Sequence, residues 1–424
     1  MSQLPPALAI TPVDHPLVGR VSPPGSKSIT NRALLLAALA NGTSRLTGAL
    51  KSKDTALMAA ALQQMGVTVE EPDDTSFVVT SSGRLAAPSG PLFLGNAGTA
   101  VRFLTAAVAT VDGTVVVDGD DHMRVRPIGP LVTAIASLGV DIVAETGCPP
   151  ITVRGNGSFG RGRVEIDGGL SSQYVSALLM AAPLGDGPIE VALTGSEIGA
   201  RGYVDLTLAA MRSFGARVEQ TADGTWLVQP TGYKAADLLV EPDASAATYL
   251  WAAAALTGGD IDLGVAADAF TQPDALAQAV IAQFPNMQAV IDGSQMQDAV
   301  PTIAVLAAFN NQPVRFVGIA NLRVKECDRI NALSTELNRI QPGLAREEGD
   351  DLVVNADPAL MHAAQRNART RIETYSDHRI AMSFALAGLK IGGIIVLDPA
   401  CTGKTYPAYW DMLAGLGVKL EAAT

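Results

Sequence analysis

The chain has 424 residues, 48% of them hydrophobic and 17% charged, which suits two globular domains with substantial apolar cores. The formal net charge of −12 at pH 7 argues against nucleic acid as a partner, because binding to phosphate backbones needs a basic surface. The apolar runs are shorter than the roughly 18 residues of a membrane-spanning helix, and the N-terminal stretch lacks the pattern of a signal or transit peptide. We therefore expect a soluble, cytoplasmic protein with no membrane partner.

Residues that form disulfides or bind metals are few in this chain. Cys148, Cys327 and Cys401 are an odd number at wide spacing, which fits neither a disulfide framework nor a zinc site. The four histidines form no HExxH motif or comparable ligand pair, which is the usual signature of a helical zinc site. We expect free thiols and no bound metal.

One pattern recurs six times, namely a polar start, an apolar helix rich in Ala and Leu, a turn with Gly, and a short β-branched stretch. In most copies an amphipathic helix follows, and a Gly ends it before another strand. The fourth copy departs from this rule, with Phe284-Pro285-Asn286 in place of the Gly turn. The six starts, at intervals of 55 to 79 residues, are Ser26, Asn96, Ser171, Asp243, Asp298 and Asp377.

Strands that alternate with helices predict the α/β class, and six near-equal units divide naturally into three plus three. The first helix of each unit is almost entirely apolar, which predicts burial on every side. The Ser, Asn and Asp side chains at the starts are expected to cap these helices. Helix N-termini that open on a cleft also attract anions. A plain cap and an anion site both stay open as interpretations of any single start.

Cationic side chains accompany several starts in an otherwise acidic chain, which suggests a small polyanionic ligand. Glu326 and Asp328 lie among three of these cations, as in an acid/base pair, although an ordinary salt-bridged turn has the same spacing. The GSKS and GNAGTA segments lack the glycine order of a P-loop or a dinucleotide-binding loop, which argues against a kinase or a dehydrogenase. The cations are Lys27, Arg32, Arg102, Arg124, Arg126, Arg323, Lys325, Arg329, Arg379 and Lys404.

Seven segments, spread over essentially the whole chain, occur in the order and spacing of one known family. They are PPGSKSITNRALLLAALA, LFLGNAGTAVR, RPIGPL, GGLSSQYVSALLMAAPL, NLRVKECDRI, SDHRIAMSFAL and DPACTGKTYPAYW. With them the sequence resembles the 3-phosphoshikimate 1-carboxyvinyltransferases, also called EPSP synthases, monomeric transferases that are the target of glyphosate. The resemblance implies transfer of the enolpyruvyl group of phosphoenolpyruvate to the 5-hydroxyl of shikimate 3-phosphate. This step of the shikimate pathway leads to chorismate and the aromatic amino acids.

The resemblance also implies a fold. Two similar domains are expected, each of three βαβαββ repeat units in an inverted α/β barrel-like arrangement. A two-strand hinge is expected to join them and to let them close on substrate. One domain is expected to be discontinuous, residues 1–22 and 242–424, with the other, residues 23–241, inserted between its two parts.

Matching motifs assign residues to each substrate. Gly98 also suits its role physically, since only a residue without Cβ lets a small ligand approach the backbone so closely. Shikimate 3-phosphate is expected to contact Lys27, Ser28, Arg32, Ser171, Ser172, Gln173, Tyr203, Asp298, Asn321 and Lys325. Phosphoenolpyruvate is expected to contact Lys27, Asn96, Gly98, Arg126, Gln173, Arg329, Arg379 and Lys404.

The reaction implied by the resemblance is an addition followed by an elimination. Protonation of the methylene carbon of phosphoenolpyruvate creates cationic character at the neighbouring carbon, where the 5-hydroxyl attacks to give a tetrahedral adduct. Loss of phosphate and of a methyl proton then restores the vinyl group. The resemblance assigns Asp298 to the hydroxyl proton, Glu326 to the carbon proton, and Lys27 to proton transfer and phosphate stabilisation. No metal or organic cofactor is expected.

Two positions depart from the family pattern. Ala200, in GARGYVD, stands where many members have Ser, so one contact to the substrate phosphate is expected to be missing. Phe103 follows Arg102 where well-known members have Pro or a smaller residue, and its bulk is expected to shift the helix that carries Gly98. We predict altered sensitivity to glyphosate, which competes with phosphoenolpyruvate in this family. An inhibition constant unchanged by Phe103→Pro would contradict this.

Three other functions are weighed against this one. UDP-N-acetylglucosamine 1-carboxyvinyltransferases share the fold and chemistry, but they usually carry a catalytic Cys or Asp shortly before the Arg-Pro motif, where this chain has GDDHMRVRPIG. A catalytically inactive relative that only binds anions or a protein is disfavoured because Lys27, Asp298, Glu326, Arg379 and Lys404 are all present. RNA 3′-phosphate cyclases use related repeats, but the acidic charge of this chain disfavours them.

Overall fold

A computed structural model describes residues 4–169, 171–195 and 201–423. By its contacts, the chain divides into two compact units. The first, here called the discontinuous unit, is Met1–Pro24 with Pro242–Thr424, and the second, the inserted unit, is Gly25–Glu241. Each unit is a mixture of helices and short strands, as expected for the α/β class.

The α-helices of the described residues alternate with strands along most of the chain. The helices are α1 (Lys27–Leu39), α2 (Lys53–Gln64), α3 (Gly98–Ala107), α4 (Gly129–Ser137), α5 (Ser172–Ala181), α6 (Arg201–Ser213), α7 (Ala244–Thr257), α8 (Ala277–Ile281), α9 (Val300–Ala307), α10 (Arg329–Ile340), α11 (His378–Ala387) and α12 (Tyr409–Gly415). Short 3₁₀ helices occupy Val108–Thr110, Met123–Val125, Ala182–Leu184, Ala267–Ala269, Pro273–Leu276, Ala320–Val324, Pro358–His362 and Pro399–Lys404.

The strands are short, and many of them are buried on alternate residues. They are β1 (Ala7–Ile10), β2 (Val18–Arg20), β3 (Ala40–Thr47), β4 (Thr68–Asp73), β5 (Ser76–Ser82), β6 (Leu92–Phe93), β7 (Asp112–Asp118), β8 (Asp141–Val143), β9 (Ile151–Asn156), β10 (Gly162–Asp167), β11 (Ile189–Thr194), β12 (Val218–Ala222), β13 (Thr225–Val228), β14 (Tyr233–Lys234), β15 (Leu238–Leu239), β16 (Asp260–Asp262), β17 (Val290–Asp292), β18 (Val314–Val317), β19 (Ala345–Glu348), β20 (Asp351–Val354), β21 (Thr370–Ile372), β22 (Ile394–Leu397) and β23 (Leu420–Ala422).

The inserted unit contains three sheets of one design, in the orders β14-β3-β5-β4, β6-β7-β9-β8 and β10-β11-β13-β12. In each, the first two strands are parallel and the last two form an antiparallel pair. In the second and third sheets, a helix lies along the chain between the two parallel strands. This is the βαβαββ unit. The first sheet takes its leading strand, β14, from the far end of the unit, and β15 also pairs with β3.

The discontinuous unit repeats this design twice, in sheets β17-β18-β20-β19 and β21-β22-β1-β23. The second of these sheets is completed by β1 from the chain's N-terminal part. The fourth copy is reduced, since β2 and β16 form a parallel two-stranded sheet and the described chain forms no strand between β16 and β17. Its second helix, α8, has only five residues. The irregular Phe-Pro-Asn turn therefore marks a unit that departs from the predicted βαβαββ pattern.

The first helices of the copies are buried, as their apolar sequences predict. All ten residues of α3 and all ten of α11 are buried. Helices α1, α3 and α5 belong to the apolar core of the inserted unit, and α7, α9 and α11 belong to that of the discontinuous unit. Because apolar side chains cover each helix all round, only its N-terminal end is left for polar groups.

Four of the six predicted caps are confirmed, namely Ser26, Ser171, Asp243 and Asp377, whose side chains accept backbone N–H groups of the first turn. The prediction is wrong for Asn96 and Asp298. Helix α3 starts after Ala97 and α9 after Ala299, and neither has a side-chain cap. Both side chains instead bind arginines.

The chain passes between the units twice, between Pro24 and Gly25 and between Glu241 and Pro242. Gly25 and Pro242, at these two crossings, are isolated β-bridge residues. In the part of the chain that the structure describes, no helix is both long and apolar enough to cross a membrane.

Candidate active site

Lys27 is the first residue of α1 and is nearly buried in the inserted unit. Its Nζ lies 3.6 Å from Oδ2 of Asp54, a buried residue in the first turn of α2. The predicted proton-transfer lysine therefore has a carboxylate neighbour. The sequence pattern did not indicate Asp54, because an acidic residue in the first turn of a helix is common for reasons of the helix dipole alone.

Arg32, one turn further along α1, is buried among neutral oxygens. Its Nε donates to the hydroxyl of Thr207 at 2.7 Å, and its Nη1 donates to the carbonyl of Ser28 at 2.9 Å. Its Nη2 donates to the Ser176 hydroxyl and to the Tyr203 carbonyl, both at 3.2 Å. Within the described residues, no carboxylate forms an ion pair with this guanidinium. Among the residues that the structure describes, Arg32 is thus a buried cation whose hydrogen-bond partners are all neutral.

The surroundings of Arg32 lower the pKa of its guanidinium group. Burial lowers the pKa of Arg32 to about 10, while Tyr203 acts in the opposite direction, because the charged form loses hydration without gaining a counter-ion. The guanidinium carbon lies 5.0 Å from the ring centre of Phe103, which is fully buried in α3. Phe103 therefore takes part in a cation–π contact with a residue predicted to bind substrate.

Two more arginines meet at the start of α3. Nη1 of Arg126 donates to Oδ1 of Asn96 at 2.9 Å, and Nη1 of Arg102 donates to Oε1 of Gln173 at 3.1 Å. A Cβ on Gly98 would lie 2.6 Å from Nη1 of Arg102 and 2.9 Å from Nη2 of Arg126. Guanidinium groups therefore occupy the space that a side chain at Gly98 would need. Arg102, which sequence reasoning counted only among the cations, belongs to this cluster.

The other predicted contacts of the inserted unit lie at two helix starts. Ser171 accepts the backbone N–H of Gln173 as the cap of α5, and the buried Ser172 is the first residue of that helix. Tyr203 lies in the first turn of α6. Ala200 lies outside the described residues, so the missing phosphate contact stays a prediction.

The discontinuous unit carries a dense cluster of ion pairs around Asp298. Oδ1 of Asp298 accepts from Nη1 of Arg329 at 3.0 Å, and Oδ2 accepts from Nη2 of Arg379 at 2.8 Å. Nζ of Lys325 lies 3.9 Å from Oδ1. The side chain predicted to cap α9 is therefore held between three cations, which explains why it leaves the helix without a cap.

Glu326 belongs to the same cluster. Its Oε2 accepts from Nη2 of Arg329 and its Oε1 pairs with Nζ of Lys404, both at 2.8 Å. Arg329 also donates through Nε to Asp377 at 2.7 Å. Burial by itself lowers the pKa of Arg329, but Asp377, Glu326 and Asp298 more than offset this and raise it above its usual value. Six residues predicted from motifs meet here, namely Asp298, Lys325, Glu326, Arg329, Arg379 and Lys404.

The two acids of the NLRVKECDRI segment have different roles. Asp328 caps α10 by accepting the N–H of Asn331 and pairs with Arg323, so it forms the ordinary salt-bridged turn. Glu326 alone joins the cluster around Asp298. Asn321 is buried and donates to the side chain of Gln297, a described contact outside the ion-pair cluster.

Sequence reasoning missed the partners that lie far away along the chain. Thr207 and Ser176 hold Arg32, and Asp377 holds Arg329 in addition to capping α11. Only the capping role of Asp377 has a sequence signal. A hydroxyl that faces a buried guanidinium has none, because side-chain contacts between distant segments depend on packing.

Comparison with solved structures defines the class of protein. The EPSP synthase from Acinetobacter baumannii aligns with a TM-score of 0.78 and 23% identity over 99% of this chain and 100% of that chain. The enolpyruvyl transferase NikO from Streptomyces tendae aligns with a TM-score of 0.74 and 16% identity over the same shares. The fold is that of the enolpyruvyl transferases, and the predicted two-domain α/β class is confirmed.

Sequence comparison narrows this class. The family EPSP synthase (3-phosphoshikimate 1-carboxyvinyltransferase) matches residues 13–413. A 3-phosphoshikimate 1-carboxyvinyltransferase of Rhizobium leguminosarum bv. trifolii is 71% identical, and one of Pseudomonas savastanoi pv. phaseolicola 70%, each over 98% of both chains. One of Aliivibrio fischeri is 40% identical over 97% of this chain and 99% of its own. The chain belongs to the EPSP synthase family, as its motifs predict.

Proposed function

We propose that this protein transfers the enolpyruvyl group of phosphoenolpyruvate to the 5-hydroxyl of shikimate 3-phosphate, the shikimate-pathway reaction of its family. One observation carries the proposal beyond family membership. The two carboxylates expected to move protons, Asp298 and Glu326, share one cluster with Arg329. Such a cluster supplies both acid/base groups and positive charge for the carboxylate and phosphate groups of phosphoenolpyruvate.

Substrate binding is proposed to use residues of both units. In the inserted unit, shikimate 3-phosphate would contact Lys27, Ser28, Arg32, Ser171, Ser172, Gln173 and Tyr203, and phosphoenolpyruvate would contact Lys27, Asn96, Gly98, Arg126 and Gln173. In the discontinuous unit the corresponding residues are Asp298, Asn321 and Lys325 for the first substrate, and Arg329, Arg379 and Lys404 for the second. The described hydrogen-bond partners of the buried Arg32 are all neutral, which supports this assignment, because an anionic ligand would supply a counter-charge.

The role proposed for each catalytic group comes from the resemblance to the family. Asp298 would accept the proton of the 5-hydroxyl as that oxygen attacks the central carbon of phosphoenolpyruvate. Glu326 would give a proton to the methylene carbon and take one back from the methyl group in the elimination. Lys27 would assist proton transfer and stabilise the departing phosphate. Contacts to Arg329 and Lys404 at 2.8 Å fix both oxygens of Glu326, so its orientation at the reacting carbon is set before reaction.

Further parts of this proposal rest on the sequence and the family. We propose that the two contact units are the two domains, with boundaries near residues 22 and 242. A cytoplasmic location, a monomeric state, the absence of a nucleic-acid partner and the absence of a cofactor stay predictions.

Phosphate release tests the proposed function. Purified protein is mixed with phosphoenolpyruvate and either shikimate 3-phosphate or UDP-N-acetylglucosamine. We expect release only with shikimate 3-phosphate, and a loss on the order of a thousandfold in Lys27→Met. Release only with the nucleotide sugar would indicate the rival family activity, and release with neither acceptor would indicate an anion-binding relative.

A second lysine outside the proposed site provides a control for Lys27→Met. Lys53 is the exposed first residue of α2, so Lys53→Met removes the same charge outside the proposed site. Its rate should stay within about twofold of wild type, as expected for a surface substitution. An equal loss in both variants would show that Lys27 acts through general charge and not through the site.

A further inference from the structure

A strained turn precedes the helix that carries Arg379. Residues 374–377 close with a hydrogen bond from the N–H of Asp377 to the carbonyl of Thr374 at 2.8 Å. The two central residues, Tyr375 and Ser376, have φ angles of 55° and 53°. Turns with positive φ at both central positions are dominated by Gly, Asn and Asp, because other side chains are crowded in this conformation. A tyrosine there needs a compensating interaction.

The non-glycine residues with positive φ lie in two segments of the chain. Among the described residues, Asp398 is the only other non-glycine with a positive φ, 42°. It lies between β22 and the 3₁₀ helix that ends at Lys404, and the 374–377 turn lies between β21 and α11. Strands β21 and β22 are parallel neighbours. Backbone strain of this kind concentrates at functional sites, and here it is confined to the two segments that lead to Arg379 and Lys404.

The compensating interaction is a hydrogen bond between the half-buried Tyr375 and a buried glutamate. The Tyr375 hydroxyl donates to Oε1 of Glu336 at 2.7 Å, and the other oxygen of Glu336 accepts the N–H of Glu373 at 3.1 Å. The side chain of Glu336 is fully buried, with the exposed Arg339 at 3.5 Å as an ion-pair partner. Burial raises the pKa of Glu336, although both hydrogen bonds act against this. Glu336 thus binds both the turn and the residue that precedes it.

The turn and helix α10 are joined twice. Arg329 is the first residue of α10 and binds Asp377, which ends the turn, and Glu336 lies two helical turns later and binds Tyr375. Asp377 also accepts the backbone N–H of Arg379 at 2.8 Å. Both contacts are made by residues of one rigid helix. The Tyr375–Glu336 hydrogen bond therefore helps to fix the position of Asp377 relative to Arg329.

We propose that Tyr375 and Glu336 are positioning residues of this site, whose hydrogen bond holds the strained turn and so places Asp377, Arg329 and Arg379 for phosphoenolpyruvate. Neither residue touches the substrate in this proposal. The inference rests on the proposed function, because it assigns the positioned guanidiniums to phosphoenolpyruvate. Loss of the contact should therefore weaken use of phosphoenolpyruvate more than use of shikimate 3-phosphate.

Tyr375→Phe tests the contact by removing only the hydroxyl. We expect kcat/KM for phosphoenolpyruvate to fall about tenfold, since small misplacements of binding groups reduce rates strongly, with KM for shikimate 3-phosphate within about twofold of wild type. Glu336→Gln can still hydrogen-bond the phenol and the Glu373 N–H, so it should keep at least about a third of wild-type kcat/KM. Ser376→Asn relieves the turn without altering the contact and should leave kinetics unchanged.

The control is a second tyrosine, Tyr233, which is more deeply buried than Tyr375. The hydroxyl of Tyr233, in the inserted unit, donates to the Met180 carbonyl at 2.7 Å, so Tyr233→Phe removes a hydrogen bond of equal length away from the turn. Equal kcat/KM values for Tyr375→Phe and Tyr233→Phe would overturn the inference, and a selective loss in Tyr375→Phe supports it.

Amide hydrogen exchange separates this inference from the proposed function. Residues 375–379 should exchange faster in Tyr375→Phe than in wild type or Tyr233→Phe, whatever the activity. If the wild-type protein releases no phosphate from the two substrates, the proposed function is wrong. Faster exchange in Tyr375→Phe would still show that the Tyr375–Glu336 hydrogen bond holds the turn. Unchanged exchange in Tyr375→Phe would contradict the inference that this hydrogen bond holds the turn.

Discussion

The two units differ in the partners that they give to their buried arginines. In the inserted unit, the described contacts of Arg32 and Arg126 are with neutral hydroxyl, amide and carbonyl oxygens. In the discontinuous unit, Arg329 binds three carboxylates and Arg379 binds one. The pKa values reflect this, since that of Arg32 is lowered by burial and that of Arg329 is raised.

The difference in partners indicates different energetic effects of the buried arginines in the two units. A buried cation with only neutral partners opposes folding and gains most from an anionic ligand, which fits a binding role. A cation among three carboxylates is already neutralised, so beside its proposed contact with phosphoenolpyruvate it orients those carboxylates and helps to stabilise the fold. Four substitutions test this comparison.

The largest effect should come from Arg329→Met. This change leaves Asp298, Glu326 and Asp377 with one shared cation fewer, and removing one partner of a buried ionic cluster lowers the free energy of unfolding by about 3–5 kcal/mol. Urea denaturation measures it. Arg154→Met is the control, because Arg154 pairs with Asp141 at the exposed surface, where a loss within about 1 kcal/mol is expected. Similar values for the two variants would contradict the ionic role of Arg329.

Arg32→Met should behave in the opposite way. Thr207 keeps a partner because its hydroxyl also donates to Ser176 at 2.8 Å, and the buried charge is removed, so the free energy of unfolding should change by at most about 1 kcal/mol. The pKa of Arg32 is lowered to about 10 by burial, so below that pH the charged side chain opposes folding, and its loss relieves this.

The binding role of Arg32 has a separate measurement. In wild type, shikimate 3-phosphate at a hundredfold excess over its Kd should stabilise the fold by about 2.7 kcal/mol. The same ligand concentration should have almost no effect on Arg32→Met in urea denaturation. If Arg32→Met is still stabilised by the ligand, or if it unfolds as easily as Arg329→Met, the proposed difference between Arg32 and Arg329 is wrong.

Gly98→Ala should produce a smaller and purely kinetic effect. The added Cβ would meet the guanidinium ends of Arg102 and Arg126, which are flexible enough to move, so stability should hold while KM for phosphoenolpyruvate rises about tenfold. Gly90→Ala is the control, since a Cβ at Gly90 has nothing within 4 Å. Equal KM values in steady-state assays would show that the two guanidiniums do not set the affinity.

The smallest effect concerns Phe103. Phe103→Pro would place proline inside α3 and break it at a cost of about 3 kcal/mol, so Phe103→Leu isolates the side chain better. The loss of its contact with Arg32 should lower the free energy of unfolding by about 1 kcal/mol more than Phe309→Leu does, because Phe309 is equally buried. We also expect the glyphosate inhibition constant to change. Identical stabilities and an unchanged constant would leave Phe103 without a role at the site.

Local patterns were predicted well because their causes are local. The six polar starts, the apolar first helices and four of the caps follow from residues within one turn of each other. Asn96 and Asp298 show where this fails. Each has the chemistry of a helix cap, but an arginine from a distant segment offers a charge-assisted hydrogen bond, which is stronger than a bond to a neutral N–H.

The sequence by itself determined the α/β repeats, the family, and the six residues that form the cluster around Asp298. Only the tertiary structure decided which oxygens face each buried cation: Asp54 beside Lys27, Thr207 and Ser176 beside Arg32, Asp377 beside Arg329 and Glu336 behind Tyr375. The physical reason is that periodicity and capping depend on neighbours along the chain. The energy of a buried charge depends on groups brought to it by packing, whatever their distance in sequence.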